Sequence, residues 1–450
     1  MRRHGIRGIG LLLCALLANA GIAGCSKKST APKPEGVSDT KPNANNRVTS
    51  ETVLGAAQHY TTLYTIRPAD DGSFGFRGAY NGAVGVGALN ADGSVRWFQS
   101  TIFQPNAIVV LPSTAVVPGG LVSVGFRDLD GDGKSDVGDV ELHSSSGVLL
   151  SHVVVSYVGS TNWLNTVAMV GDSALVAGGS ESIAGVEHPL LVGLNLRTPG
   201  LLQSASKATL AGPGYFLTVV NRTSSPTELV LAATSGSGLA RSLRGLRAPW
   251  PALAPIAVEW TQDLTPTIGA WSTSSLVLRE SGGNLYLAGG ANDGRKPSPA
   301  GFWASGVAAS YTGSGAFRWQ TVVSLSSHSE SFYGLSVGVD AVYAVGHAAE
   351  YGSGSPEELF GYGMIAKLNL DTGAVIDSFM IGDDHYQSGF NTAHATPTGL
   401  VCGGFTKREL TSGAFRGWFT TVDVSPAIEI SVAPVPAAAR VGALRTRRPP

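Results

Sequence analysis

The sequence predicts an all-β chain, a seven-bladed β-propeller with four antiparallel strands per blade. Three observations carry that expectation: a unit of roughly 55 residues that recurs seven times, a small residue at a fixed place in each unit, and strand-like patterning on either side of it. The small residue that ends the second strand of the unit is Gly78, Gly125, Gly178, Gly289, Gly346 or Gly403, and Ala233 fills the long gap between Gly178 and Gly289. A third strand follows at 84–90, 139–145, 190–196, 242–248, 305–311, 363–369 and 418–424. A chain of 450 residues with 59 glycines, 43% hydrophobic and only 14% charged residues suits buried strands joined by many turns.

The clearest unit is the fifth. Asn284-Leu285-Tyr286-Leu287-Ala288-Gly289-Gly290 reads as a strand, 306–311 as the next, and Ala316-Phe317-Arg318-Trp319-Gln320 as a third after a tight turn. A β-helix would repeat at a shorter period. A pair of sandwiches would not keep the same unit to its end.

The N-terminus sets the expected location. Arg2, Arg3 and Arg7 make a basic start, and residues 8–17 make an apolar run too short for an ordinary membrane span. Ile22-Ala23-Gly24-Cys25 follows. This quartet resembles the lipobox of bacterial lipoproteins. The resemblance implies a signal peptide over 1–24, cleavage before Cys25 and lipidation of its thiol. Ser26 in place of an aspartate then favours the outer membrane, with periplasmic and surface faces both open. Ordinary cleavage after Ala20 is the alternative. Residues 25–51 are polar and proline-containing, as expected for a flexible tether. Residues 52–432 are assigned to the propeller, with 426–432 as its last strand, and 433–450 to a disordered tail.

Charge excludes one partner class. The formal net charge is −1, and removing 1–24 with its three arginines gives 28 − 32 = −4. Nucleic acid binding needs a concentrated basic face, so no nucleic acid partner is expected. Cys402 is the single cysteine of the body, so an intrachain disulfide framework is not expected there, and it reads as a small buried residue.

The units Asn284–Gly290 with 306–319, 341–346 with 364–375, and 85–97 containing Leu89-Asn90-Ala91-Asp92-Gly93-Ser94-Val95-Arg96-Trp97 resemble the bacterial SBBP-type β-propeller repeat. That resemblance covers about 52–432. It implies a fold and an extracytoplasmic setting, and no reaction.

The sharpest chemical motif is Asp128-Leu129-Asp130-Gly131-Asp132-Gly133-Lys134-Ser135-Asp136. Carboxylates at alternate positions can curl around calcium, which wants six to eight hard oxygens. Asp128, Asp130, Asp132 and Asp136 would give side-chain oxygens, Lys134 its carbonyl, and Asp139 a further ligand. Strand-like flanks make the loop similar to FG-GAP propeller loops rather than to an EF-hand.

Tight joins such as Asn90-Ala91-Asp92-Gly93 and Leu370-Asp371-Thr372-Gly373 crowd one face of a propeller. The long joins, 291–300, 348–362, 406–416, 326–332 and 382–390, fall on the other. Binding is expected among long loops, so Trp163, Trp271, His328, Glu330, Asp383, Asp384, His385 and Tyr386 are the ligand-face candidates. HExxH does not occur. The expectation is therefore a monomeric, lipid-anchored, calcium-carrying propeller that binds or scaffolds an envelope or extracellular protein or glycan without catalysis. The alternative is an extracytoplasmic hydrolase or quinone-dependent dehydrogenase with its site in the channel.

Overall fold

The protein is described by a computed structural model over residues 45–425, apart from 57, 198–200, 222–227, 236–240, 249–252, 254–255, 265–275, 292–304, 327–328, 352–358, 383–386 and 408–413. The lipobox, the tail and residues 426–432 lie outside the described residues, as do Trp271, His328, Asp383, Asp384, His385 and Tyr386.

Apart from one short 3-10 turn, every described element is a strand. β1 is Val48–Leu54. β2–β5 are Thr62–Pro68, Phe74–Tyr80, Ala83–Leu89 and Val95–Ser100. β6–β9 are Gln104–Val110, Leu121–Arg127, Val137–His143 and Leu149–Val155. β10–β13 are Ser160–Met169, Ala174–Ile183, Val186–Arg197 and Leu201–Thr209. β14–β17 are Gly214–Asn221, Glu228–Ser235, Arg241–Arg247 and Ala257–Leu264. β18–β21 are Val277–Ser281, Asn284–Ala291, Ser305–Thr312 and Phe317–Val323. β22–β25 are Glu330–Val337, Ala341–Tyr351, Leu359–Asn369 and Val375–Ile381. β26–β28 are Gln387–Thr396, Gly399–Lys407 and Arg416–Val422.

From β2 to β21 each consecutive set of four strands forms its own antiparallel sheet in sequence order. The remaining strands make an eight-stranded sheet. Its two halves, β22–β25 and β26–β28 with β1, meet through the parallel pair Gly361 and Gln387. The first strands touch in ring order, β2 to β6, β10, β14, β18, β22 and β26, and β26 touches β2 again. This is an all-β fold of the propeller type.

A bulge explains why glycine recurs in the second strand. The register slips in the first strand between Leu63 and Thr65, Pro105 and Ala107, Leu164 and Thr166, Phe332 and Gly334, and Phe390 and Thr392. The slip turns a first-strand carbonyl into the neighbour's side-chain space. A Cβ on Gly78, Gly125, Gly179, Gly346 or Gly404 would overlap the carbonyl oxygen of Thr62, Gln104, Trp163, Ser331 or Gly389. In the third and seventh units the essential glycine is thus Gly179 and Gly404, one place after those picked from the sequence.

Three bulges also supply the seams between sheets. Asn106 Nδ2 donates to the Leu164 carbonyl at 2.8 Å, Asn165 Nδ2 to Phe216 at 3.3 Å, and Asn391 Nδ2 to Leu63 at 3.0 Å. The last of these joins β26 to β2. Leu63, Ile66 and Phe74 pack with Val401 and Phe419 at the same seam. Each large side chain buried in this way contributes about 1.5–3 kcal/mol.

The N-terminal boundary needs correcting. β1 begins at Val48, inside the expected tether, and pairs with β28 from Val48 opposite Val422 to Leu54 opposite Gly417. It occupies the edge that residues 426–432 were expected to take. Val-Thr-Ser-Glu-Thr-Val-Leu is mostly polar because β1 is the outer strand of its sheet, with Leu54 buried and three residues exposed. That polarity is what made it resemble a tether.

Candidate functional site

The acidic loop joins β7 to β8. Carboxylate oxygens of Asp128, Asp130 and Asp136 lie within 4.8 Å of one another. Asp128 is held by two amides, Gly131 N–H to Oδ1 at 2.6 Å and Gly133 N–H to Oδ2 at 2.7 Å. Desolvation opposes its charge, but the amides of Gly133 and Gly131 outweigh it and keep its pKa below the ordinary aspartate value. Gly133 has φ +81°, which closes the loop where a side chain would be strained. Leu129 N–H donates to Asp136 Oδ2 at 2.6 Å.

Two of the expected carboxylate ligands stand apart from that trio. Asp132 pairs with the Lys134 ammonium on the solvent side. Asp139 is fully buried, receives Arg127 at 3.0 and 3.1 Å and lies 2.5 Å from His152 Nε2. It is a structural ion pair, because its strand position on β8 turns it into the protein. The trio of hard oxygens still fits a divalent cation. The loop is tied to the next sheet, since Asn162 N–H donates to the Asp136 carbonyl at 3.2 Å.

The described ligand-face candidates are framework residues. Trp163 is the fourth residue of Ser160–Met169 in β10 and half-buried, packed edge-on against Phe126 and tilted against Tyr215. Glu330 is fully buried and accepts the amides of Leu325 and Ser326, so its carboxylate closes a turn. Parts of the expected long joins are strand as well, with β23 reaching Tyr351 and β24 starting at Leu359.

The cavity with functional character lies at the opposite end of the ring. Its volume is about 230 Å³, and Arg67, Arg279, Glu280, Ser336 and His394 are among its lining residues. These sit where β2, β18, β22 and β26 run out toward their short first joins. Their places correspond. Just past the bulge, Arg67 is opposite Gly75, Ser336 opposite Tyr343 and His394 opposite Val401, while Arg279 faces Tyr286. Aligning the first strands on their bulges would have superposed these residues; reading loop lengths could not.

Two arginines face one acid in this cavity. Arg67 Nη1 donates to the Ile66 carbonyl at 3.2 Å, and Arg279 Nη1 to the Leu278 carbonyl at 2.8 Å. Neither has a carboxylate partner among the described residues. Glu280 accepts the Gly283 amide at 2.9 Å. Burial lowers the Arg67 pKa to about 10. Burial and the nearby Arg67 charge push Arg279 well below its ordinary value. Burial, Arg67 and Arg279 together lower that of His394. Cys402 is buried and its thiol is pushed up, as a small core residue should be.

No family model matches the sequence, and no curated protein matches it. Solved structures of similar fold include the hydrazine synthase of Kuenenia stuttgartiensis, at 10% identity over 82% of this chain and 97% of that one, TM-score 0.49. A virginiamycin B lyase from Staphylococcus aureus matches at 9% identity over 83% and 99%, TM-score 0.46. The polysaccharide lyase Uly1 matches at 9% over 84% and 100%, TM-score 0.44. Likeness at this level concerns fold and carries no activity to this chain. Among the described residues no helix is long and apolar enough to cross a membrane.

Proposed function

We propose that the chain is a seven-bladed propeller, closed by β1, that is anchored through a lipid on Cys25 in the outer membrane and binds an envelope or extracellular molecule without chemistry. The SBBP-like repeats and the lipobox support the setting. The observation that carries the binding reading is the cavity at the end of the channel, walled by the four strands β2, β18, β22 and β26 and bearing Arg67 and Arg279. An arginine near pKa 10 stays charged at neutral pH, so it holds a ligand rather than shuttling protons. Calcium in the Asp128, Asp130 and Asp136 loop is part of the same proposal and would order the join between β7 and β8.

The test is affinity capture from envelope extracts by the tagged mature protein, with and without calcium. A protein or glycan enriched over a blank propeller is expected. Enrichment that does not exceed the blank would remove the basis for this reading.

An enzyme remains the second reading, because convergent charged groups in a channel are what a catalytic site needs. His394, Glu280 and Ser336 share the wall. Yet the Ser336 hydroxyl accepts the Ala395 amide at 2.8 Å and Glu280 accepts Gly283, so both are engaged with backbone.

A further inference from the structure

We propose that the cavity bounded by Arg67, Arg279 and His394 is a binding site for a small oxyanion, the carboxylate or phosphate of a compact molecule. This rests on the reading of the cavity as a binding site and names the ligand class it would take.

Arginines seldom converge without an acid between them. A guanidinium carries five N–H donors, and burying it uncompensated is costly. Arg67 and Arg279 each use one bond to the carbonyl of the residue just before. Both reach the cavity from different sheets, and their remaining donors have no protein acceptor among the described residues. Arg77 adds positive charge behind them but is itself committed, with Nη1 on the Pro105 carbonyl at 2.6 Å and Nε on Thr65. His394 stands on the same wall, braced edge-on by Phe74 at 6.3 Å. The one acid of the lining, Glu280, belongs to the same strand as Arg279 and is occupied by the turn at Gly283.

An oxyanion is the chemistry that completes this arrangement. Planar guanidinium groups present paired donors that match carboxylate and phosphate oxygens. Low-dielectric walls strengthen the attraction. A volume of about 230 Å³ exceeds the roughly 150 Å³ that takes a benzene, so the cavity has room for a compact ligand.

The experiment titrates the mature protein by calorimetry with inorganic phosphate and, separately, citrate, at constant ionic strength set with chloride. Saturable binding of at least one is expected, and the arm that binds more tightly identifies the phosphate or carboxylate source. Arg67→Gln with Arg279→Gln should weaken it at least tenfold. The double variant should also melt no lower than the parent in chloride, because two half-buried charges without a carboxylate partner are gone. If it fails to fold, phenylglyoxal labelling of the parent decides, with phosphate or citrate protecting Arg67 and Arg279 and chloride not. Heats that never saturate, equal affinity in the folded variant, or labelling indifferent to the anion would overturn the proposal. Capture of a macromolecular partner is a separate readout, so either result can fail alone.

Discussion

The indole N–H of Trp319 donates to the carbonyl of Leu370 at 3.0 Å while its ring lies over Gly373. Trp319 is on the fourth strand of one sheet, and Gly373 closes the last hairpin of the next. The same relation joins Trp97 to the Ser145 carbonyl at 2.9 Å over Gly147, and Trp260 covers Gly315. The repeat therefore carries its own outer clamp, made by a tryptophan and a turn glycine one unit apart. Gly373 has φ +68°, and a Cβ there would collide with the indole. Gly373→Ala should cost about 2–3 kcal/mol and Trp319→Ala about 3–5 kcal/mol in urea unfolding. The two losses should not add, because they break one contact. Additive effects would mean that the clamp is not a unit.

This clamp shows how far the sequence could be read. The glycine period and the tryptophan after the turn make the all-β, propeller-type architecture legible, since both follow from local chemistry. Among the described residues three joins have the tryptophan, so the sequence shows no sustained docking pattern. The bulge could not be seen at all, because a slipped register leaves no residue signature except the glycine that tolerates it. The edge strand β1 pairs with a strand more than 360 residues away, as Val48 and Val422 do, and no local pattern encodes such a partner. Arg67 and Arg279 were passed over for a related reason. Each is one arginine in a short strand, and their convergence exists only once β2 and β18 have come together.

β1 should act as the latch of the ring. Beyond its pairing with β28, Glu51 Oε1 accepts the Trp418 indole N–H at 2.7 Å, and Arg47 pairs with Asp377 at 2.5 Å. Mature protein lacking residues 25–54 leaves β28 as an open edge, a template for association. It should melt lower and form oligomers on a sizing column, and a peptide covering 45–56 should reverse both changes. A truncated protein that stays monomeric and melts like the parent would show that β1 is dispensable.

His347 should make stability depend on acidity. It lies on β23 beside the Phe405 ring, and burial lowers its pKa to about 4. In the unfolded chain the ordinary value of about 6.5 applies. Between these values the unfolded chain binds the proton and the folded one does not. Stability is therefore complete above about 6.5 and falls as pH drops toward 4, by at most roughly 2–3 kcal/mol for a partly exposed ring. His394 is shifted the same way and adds to the slope. His347→Gln should flatten the decline in melting temperature between pH 7 and 4.5. An unchanged slope would remove His347 as its source.

Lipidation tests the proposed address. Cys25→Ser removes the thiol that a lipobox needs, so uncut precursor should accumulate and be visible by intact mass. Mature protein beginning at Gly21 would show that ordinary signal cleavage operates instead.

Calcium binding gives the most discriminating set of variants, because geometry separates aspartates that the motif treats alike. Asp128, Asp130 and Asp136 converge, whereas Asp132 pairs with Lys134 and Asp139 with Arg127. Like charges held this close repel, and a divalent ion bound among them removes that cost and pins the ends of β7 and β8. Ligand linkage sets the size of the effect, roughly 2.7 kcal/mol at a hundred times Kd. EDTA should therefore lower the melting temperature modestly without unfolding the remaining sheets. Asp130→Ala should abolish that sensitivity, since its carboxylate serves the trio and holds only one loop amide, Asp132 N–H at 3.1 Å. Asp128→Ala should do so at an added cost of about 1–3 kcal/mol, because two backbone amides lose their acceptor. Asp132→Ala should bind calcium within a few-fold of the parent. Calorimetry decides among these: equal binding by Asp130→Ala and the parent, or loss confined to Asp132→Ala, would show that the ion, if bound, does not sit among the three converging carboxylates.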